Sequence, residues 1–478
     1  METAFNNNDA FAHSKNSSLP PGGGGLGWGG SCQHISQLQL HPPPDPLPSR
    51  EGEKTFCECI NSKPERRLRV WSVAEQGFLS LANFGLAIFL ARELPKAAWG
   101  AFSLGYALML FSQGFQRALV SIPIATMAHS DDVLSRSLRF WRRTQTKLTL
   151  VATGALVLVA LAWRWIDGDA SITEALIIAA LLVPGHFFLE FWRRVVIQTR
   201  NMKAAAVISL LFLLSVVLLV SGLHFMEGGA LAAAAGLSAC ALMAGAMTRA
   251  RALSRIAPTN DNLDLGQEVY RFGRWAMLSH LAFSGYTTAI QVVLSLVSGP
   301  AAMGSFAAVR NLTQPVNTLI GAIDNMDKPR AARAFAAGGF PELFSSLWRT
   351  MATLSILGGG YLLLCSVGGG YLVDYLYHAR YGHAWNEVWM WCLIAAAMMA
   401  AQPLESGLYV SQRTDALFMN RLVSAAVGLG TAVITIPGWG VSGALLGLAC
   451  GWLVSAALAA GQLFLFSRQA AEPEVIEG

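Results

Sequence analysis

The sequence predicts an all-α integral membrane protein: twelve transmembrane helices in two six-helix lobes, behind a disordered amino-terminal tail. Charge is scarce, apolar segments of membrane-spanning length recur, and one stretch of the first half returns in the second. Of the 478 residues, 54% are apolar and 13% charged, and the mean hydropathy is +0.45. A surface facing water needs about 25% charged residues, which excludes an ordinary soluble enzyme. A chain this apolar is not disordered over most of its length either.

Residues 1–65 stand apart from the rest. Pro20-Pro21 run into Gly22 to Gly25, Pro42-Pro43-Pro44 follow, and no apolar period is sustained. Such a composition cannot bury a core and reads as a disordered cytoplasmic tail. No charged start leads into an apolar run, so it is not a signal peptide. The stretch from Pro46 to Lys54 resembles translated non-coding sequence, which would put the native start near Val70. The seven cysteines are scattered, and Cys57-x-Cys59 lacks a second ligand pair, so neither a disulfide framework nor a metal site is expected.

A helix crosses about 30 Å of hydrocarbon with roughly 20 mostly apolar residues. Six such spans make up the first half: about 72–91, 98–126, 146–165, 171–192, 203–223 and 228–248. Six more follow at 273–297, 301–325, 346–367, 385–409, 415–436 and 440–466. Unpaired backbone is not tolerated in lipid, and the ten-residue alternation of a membrane barrel is absent, so each span is a helix. The lobes then cover 70–250 and 271–468, joined by a cytoplasmic linker at 251–270 and followed by a cytoplasmic tail at 469–478.

Loop charge sets the orientation. With the amino terminus in the cytoplasm, 25 basic residues fall inside, in clusters at 63–69, 136–147, 193–203, 249–274 and 328–349 and at Arg413, Arg421 and Arg468. Only Arg92, Lys96, Arg164 and Arg380 fall outside. This bias puts both termini in the cytoplasm. It also accounts for the net charge of +5 without any nucleic-acid surface.

The repeat relates the lobes. Residues 97–108 (AAWGAFSLGYAL) align without gaps on 301–312 (AAMGSFAAVRNL), placing Gly100 on Gly304 and Phe102 on Phe306. Leu189-Glu190 falls on Leu404-Glu405 at a similar offset. Two like-oriented six-span halves are related by an axis along the membrane normal and enclose a crevice at mid-depth. That architecture favours a transporter over a receptor or a scaffold.

The motifs then point to a family. Glu75-Gln76, Ser80, Asn83 and Leu90-Ala91-Arg92 mark the first span. Gly100-Ala101-Phe102, Gln116-Arg117-Ala118-Leu119 and Pro123 mark the second, and Arg310-Asn311, Pro315 and Pro329-Arg330-Ala331-Ala332 the eighth. With these the chain resembles polysaccharide flippases of the multidrug/oligosaccharidyl-lipid/polysaccharide (MOP) exporter superfamily, over roughly 72–466. Glu75 stands where that pattern has Asp, and Arg117 where it has a neutral residue. The resemblance implies a MATE-like fold in a bacterial inner membrane. It also implies transfer of an undecaprenyl-pyrophosphate-linked oligosaccharide to the periplasmic leaflet for exopolysaccharide, capsule or O-antigen synthesis. A polysaccharide polymerase and export proteins would be its partners, besides membrane lipid.

Charges inside hydrocarbon are costly and usually face a wet cavity. Arg310 lies eight residues past Ala302, about 12 Å down at 1.5 Å per residue, and His280 lies at a similar level. Arg310 offers a permanently charged fork that matches phosphate; a buried structural ion pair is the competing reading. His280 either bonds the substrate and titrates near neutral pH or packs against a neighbouring helix carbonyl. Arg117 shares a face with Gln113 and suits an arriving pyrophosphate. Gln113, Asn311, Gln314 and Asn317 are the expected sugar contacts, with Pro315 positioned to break the eighth span and expose carbonyls. Glu75, Glu190, Asp324 and Glu405 lie nearer the cytoplasmic ends. They are candidates either for interfacial ion pairs or for an inner gate whose bridges break on opening.

The remaining signals exclude more than they add. His378 and His383 have metal-compatible spacing but no third ligand, and Gly358 to Gly360 and Gly368 to Gly370 sit at a span, not between a strand and a helix as a phosphate loop does. No catalytic role and no cofactor is therefore expected. The drive would be a proton or sodium gradient, or consumption of the product. Two rivals to a flippase are a cation-coupled multidrug exporter, which calls for membrane carboxylates, and a non-transporting partner in a glycan-assembly complex.

Overall fold

Backbone buried in hydrocarbon must satisfy its own hydrogen bonds, and among the described residues every regular element is a helix. The computed structural model describes residues 63–471 except 129, 167–169, 200, 257–258, 260, 262, 379 and 382–383. The predicted tails at 1–65 and 469–478 lie almost wholly outside these residues. The first half contains α1 (Lys63–Glu93), α2 (96–127), α3 (Asp131–Ile166), α4 (Ala170–Gln198), α5 (Met202–Phe225) and α6 (Ala230–Leu253). The second opens with α7 (Gly266–Ser298). The stretch Pro300–Tyr377 divides at Gly338 and Gly339, which leave helical geometry, into α8 (300–337) and α9 (340–377). After α10 (Trp385–Val410), Thr414–Ala471 divides at Gly440 into α11 (414–439) and α12 (441–471).

Nine helical stretches among the described residues are long and apolar enough to cross a membrane, the α11–α12 stretch being one of them. The nine omit α2, the helix of Gln113, Gln116 and Arg117, and the part of α8 that carries Arg310, Asn311, Gln314 and Asn317. The helices outrun the predicted spans. Basic residues read as loops at 136–147 and 328–349 are mostly helical, because Lys and Arg are good helix formers and nothing ends a helix where the lipid ends.

Helices of each half pack chiefly on one another, and the halves meet where α2 faces α7 and α8 and where α1 faces the Pro300–Tyr377 stretch. One large apolar core spans both halves, with a smaller cluster around Trp141 and Trp192 in the first and another around Leu343 and Leu408 in the second. The repeated glycines make the closest crossing. A Cβ on Gly100 would stand 1.7 Å from the Pro300 carbonyl oxygen, and one on Gly304 2.4 Å from that of Lys96. The Trp99 indole N–H donates to the Gly304 carbonyl at 3.0 Å. Two related helices thus touch backbone to backbone at equivalent positions, as a pseudo-two-fold axis between them requires.

This crossing lies at the end of the bundle away from the described chain termini, here called the distal end. The α9–α10 turn reaches across to the first half there. Arg380 Nη1 donates to the Leu94 carbonyl at 2.5 Å and the Tyr381 hydroxyl to the Ala91 carbonyl at 3.2 Å. Arg92 bonds His378, and the Lys96 ammonium lies 5.4 Å from the centre of the Tyr381 ring.

Candidate functional site

A cavity of about 220 Å³ lies between the halves, and a second of about 480 Å³ lies among α1, α2 and α8. Gln113 and Arg117 from α2, His280 from α7, and Arg310, Gln314 and Asn317 from α8 line the first. Asn83, Tyr106 and Asn311 line the second, and Arg310 and Gln314 border both. The sequence thus brings six of its seven substrate-site candidates to one cavity and the seventh, Asn311, to its neighbour.

Arg310 Nη1 donates to Gln291 Oε1 at 3.3 Å, and Gln291 is itself held by donating to the Thr287 carbonyl at 3.1 Å. Its Nε is buried without a partner, and among the described residues the guanidinium makes no ion pair. The buried-pair reading of Arg310 therefore finds no acid to pair with. A permanent cation held by one amide retains most of its donors for an anion.

Arg117 begins a π-helical turn, Arg117–Ser121. Pro123 has no N–H to donate back along α2, and the Ile122 N–H bonds the Arg117 carbonyl five residues back. The extra residue in this turn marks a register change of a kind common at functional sites. Arg117 Nε is also buried without a partner, and among the described residues the side chain makes no hydrogen bond or ion pair. From the Gly100–Gly304 crossing, Arg117 lies 17 residues along α2 and Arg310 six along α8. At about 1.5 Å per residue, Arg117 sits roughly 16 Å nearer the terminal end. The two cations occupy successive depths, not one clamp.

His280 lines the same cavity but is engaged on both sides. Its Nε2–H donates to the Phe111 carbonyl at 2.9 Å, and the Ser284 hydroxyl donates to Nδ1 at 3.0 Å. The ring stacks on Phe111 and meets Phe115 edge-on. Gly114 makes the space, since a Cβ there would stand 1.8 Å from His280 Cε1. This is a packing histidine that ties α7 to α2, with its hydrogen fixed on Nε2 by a carbonyl that only accepts.

One expectation needs correction. α8 runs unbroken across Pro315, and its helical geometry fails only at Gly338 and Gly339. Of the two readings of the acidic residues, ion pairing is the one seen among the described residues. Arg193 bonds Glu75 at 2.8 Å and Glu190 at 2.6 Å, and Arg194 bonds Glu190 at 2.8 Å. In the second half Arg421 bonds Glu405 at 3.1 Å and Lys328 bonds Asp324 at 2.6 Å. Each of these pairs lies within one half: Glu190 and Asp324 meet basic residues three or four positions along their own helices, whereas Glu75 and Glu405 reach arginines on other helices of the same half. The aligned glutamates, Glu190 and Glu405, are both buried anchors. Gln116 turns away from the cavity to bond Gln145 and the Phe187 carbonyl.

Sequence reasoning missed the stripe of Ser284, Thr287, Thr288 and Gln291 on α7, although its helical spacing on an apolar span was legible. It also missed Tyr106 and Trp391, which carry no such signal. His383 lies outside the described residues, and among those described no group of three or more His, Cys, Asp or Glu could hold a metal.

Residues 70–324, which include both cavity arginines, match the family described as polysaccharide biosynthesis protein. The chain belongs to this polysaccharide biosynthesis protein family. No curated protein is significantly similar to it in sequence. Among solved structures, this family member is similar to a multidrug resistance MATE family transporter of the MOP superfamily in an inward-facing conformation. The two share 14% identity over 83% of this chain and 96% of that one, with a TM-score of 0.64. It is also similar to a MOP superfamily transporter from Pyrococcus furiosus, with 14% identity, 85% and 96% coverage and a TM-score of 0.60. A eukaryotic MATE transporter gives 16% identity, 85% and 98% coverage and a TM-score of 0.58. The polysaccharide biosynthesis family and the MATE fold identify a multi-pass membrane transporter.

Proposed function

We propose that this transporter flips a lipid-linked oligosaccharide, carried on an undecaprenyl pyrophosphate, across a bacterial inner membrane for exopolysaccharide, capsule or O-antigen synthesis. One observation carries the reading: Arg310, a cation at mid-depth with no acidic partner among the described residues, borders both cavities. Such a group attracts a phosphate while retaining water on the other side, which permits release. Arg117, nearer the terminal end, takes the anion first and hands it inward. Gln113, Gln314, Asn311 and Asn317 offer neutral contacts to sugar hydroxyls, and His280 holds α7 against α2. Among the described residues neither cavity has an acidic residue in its wall, which disfavours a cationic drug as cargo. With the termini in the cytoplasm, the closed distal end faces the periplasm, and a proton or sodium gradient or downstream polymerisation drives the cycle.

The test is Arg310→Ala beside Arg310→Lys. Charge-assisted hydrogen bonds are worth about 1.5–3 kcal/mol, so Arg310→Ala should weaken binding of farnesyl diphosphate by about 10- to 150-fold and abolish glycan export. Arg310→Lys should recover part of both. Export at the wild-type level by Arg310→Ala would overturn the proposal.

A further inference from the structure

The first cavity has a second chemical character that phosphate binding does not use. One side of its wall is apolar and aromatic: Phe306 from α8, Trp391, Ile394 and Met398 from α10, and Leu448 and Trp452 from α12. Phe306 and Trp391 pair with ring centroids 5.2 Å apart, and Trp452 sits edge-on to Phe283 at 5.2 Å. Trp391 is 6% exposed, and its indole N–H is buried with no hydrogen-bond partner. Leaving a buried donor unmade is costly, and phenylalanine would supply an aromatic ring at this position without that cost. Four residues of this one cavity hold unpartnered buried polar atoms: Arg117 Nε, Arg310 Nε, Asn317 Oδ1 and Trp391 Nε1.

Phe306 precedes Arg310 by four residues, so the two share a face of α8 and are separated by about 6 Å along the helix. The aromatic pair is therefore one turn distal to the phosphate anchor. A pyranose joined to a diphosphate reaches about one turn from it, presents an apolar ring face, and carries neutral oxygens that accept hydrogen bonds. Its phosphate is drawn to Arg310, which leaves the indole N–H for a hydroxyl, a ring oxygen or an N-acetyl carbonyl.

We infer that Trp391, paired with Phe306, forms the subsite for the first sugar of the cargo, with the ring held on the aromatic wall and a neutral sugar oxygen accepting from Trp391 Nε1. This rests on the flippase reading and adds to it a direction: the lipid side of the cargo lies towards Arg117, and the sugar side lies distally. Trp391 is then a residue that senses whether the diphosphate bears a sugar.

The experiment uses the full chain in lipid nanodiscs, since maltoside detergents would bring sugars of their own. Calorimetry compares farnesyl diphosphate with the same diphosphate carrying one hexose or one N-acetylhexosamine. Wild-type protein should bind at least one glycosylated probe more tightly than the bare one. Trp391→Phe, with an unchanged melting temperature, should lower that preference by about two- to tenfold, the range of one neutral hydrogen bond, and leave the bare diphosphate unaffected. Trp391→Leu should abolish the preference. Arg310→Ala should weaken all three probes together. A preference retained in both Trp391 variants would overturn the subsite and spare the flippase reading. Absence of binding by every probe, or indifference to Arg310→Ala, would overturn both.

Discussion

Substituting alanine for Gly100 puts a methyl group where the two halves touch. The new Cβ would lie 1.7 Å from the Pro300 carbonyl oxygen and 3.0 Å from the Gly304 nitrogen. Both are backbone atoms, so no side chain can swing aside. Reaching ordinary contact near 3.4 Å requires α2 and α8 to part by about 1.7 Å at this point. Overpacking of this kind costs about 1–3 kcal/mol, and loss of the Trp99 to Gly304 hydrogen bond adds about 0.5–1.5 kcal/mol. A distal-closed state destabilised by about 1.5–4.5 kcal/mol loses ground to a distal-open one by roughly 10- to 1,600-fold, at about 1.4 kcal/mol per tenfold. Spin labels at Ala97 and Ala301, which are exposed and occupy equivalent repeat positions, report this as a longer inter-label distance by pulsed electron resonance. Gly304→Ala is the graded control, because its nearest backbone atom, the Lys96 carbonyl oxygen, is 2.4 Å away, so its effect should be smaller. An unchanged distance in Gly100→Ala would show that this crossing does not hold the halves together.

Further outcomes follow from the buried ion pairs and the positive-φ turn. Glu190 serves both Arg193 and Arg194, whereas Arg193 without Glu75 still holds Glu190. Breaking a buried pair costs about 3–5 kcal/mol, so Glu190→Gln should lower the melting temperature more than Glu75→Gln; the reverse order refutes the assigned pairing. Gly440 holds φ +51 and ψ −121 with nothing closer to its Cβ position than Ser298 Oγ at 3.7 Å. Gly440→Ala should therefore cost about 1–3 kcal/mol through backbone strain alone, while Gly438→Ala, with open space and no positive φ, should be near neutral by thermal unfolding.

Much of this was legible in the chain because lipid imposes strict terms on a helix. Span length and the scarcity of charge locate the helices, and the alignment of Gly100 on Gly304 anticipates a relation that the crossing then makes physical. Arg310 stood out because a lone guanidinium in an apolar span demands an explanation. What escaped were matters of direction and partner. Nothing in the spacing of Glu190 says that Arg193 also reaches Glu75 on another helix. His280 reads equally well as a titrating group or a packing group until Phe111 and Gly114 are seen beside it. Trp391 lies in an apolar run where tryptophan is ordinary, and only the missing partner of its N–H sets it apart. Helix ends were misjudged because hydropathy reports where lipid stops, not where the backbone does.

Two bonds of the distal clasp grip main chain rather than side chain. Arg380 and Tyr381 hold the carbonyls of Leu94 and Ala91, oxygens that every residue supplies and that the last turn of a helix leaves without an internal donor. Drift in the sequence of the α1–α2 turn leaves those two carbonyls intact, so this part of the latch tolerates variation on one side and depends on two side chains on the other. When the halves separate, the end of α1 must find water in their place, which joins the opening of the bundle to the wetting of its outer rim.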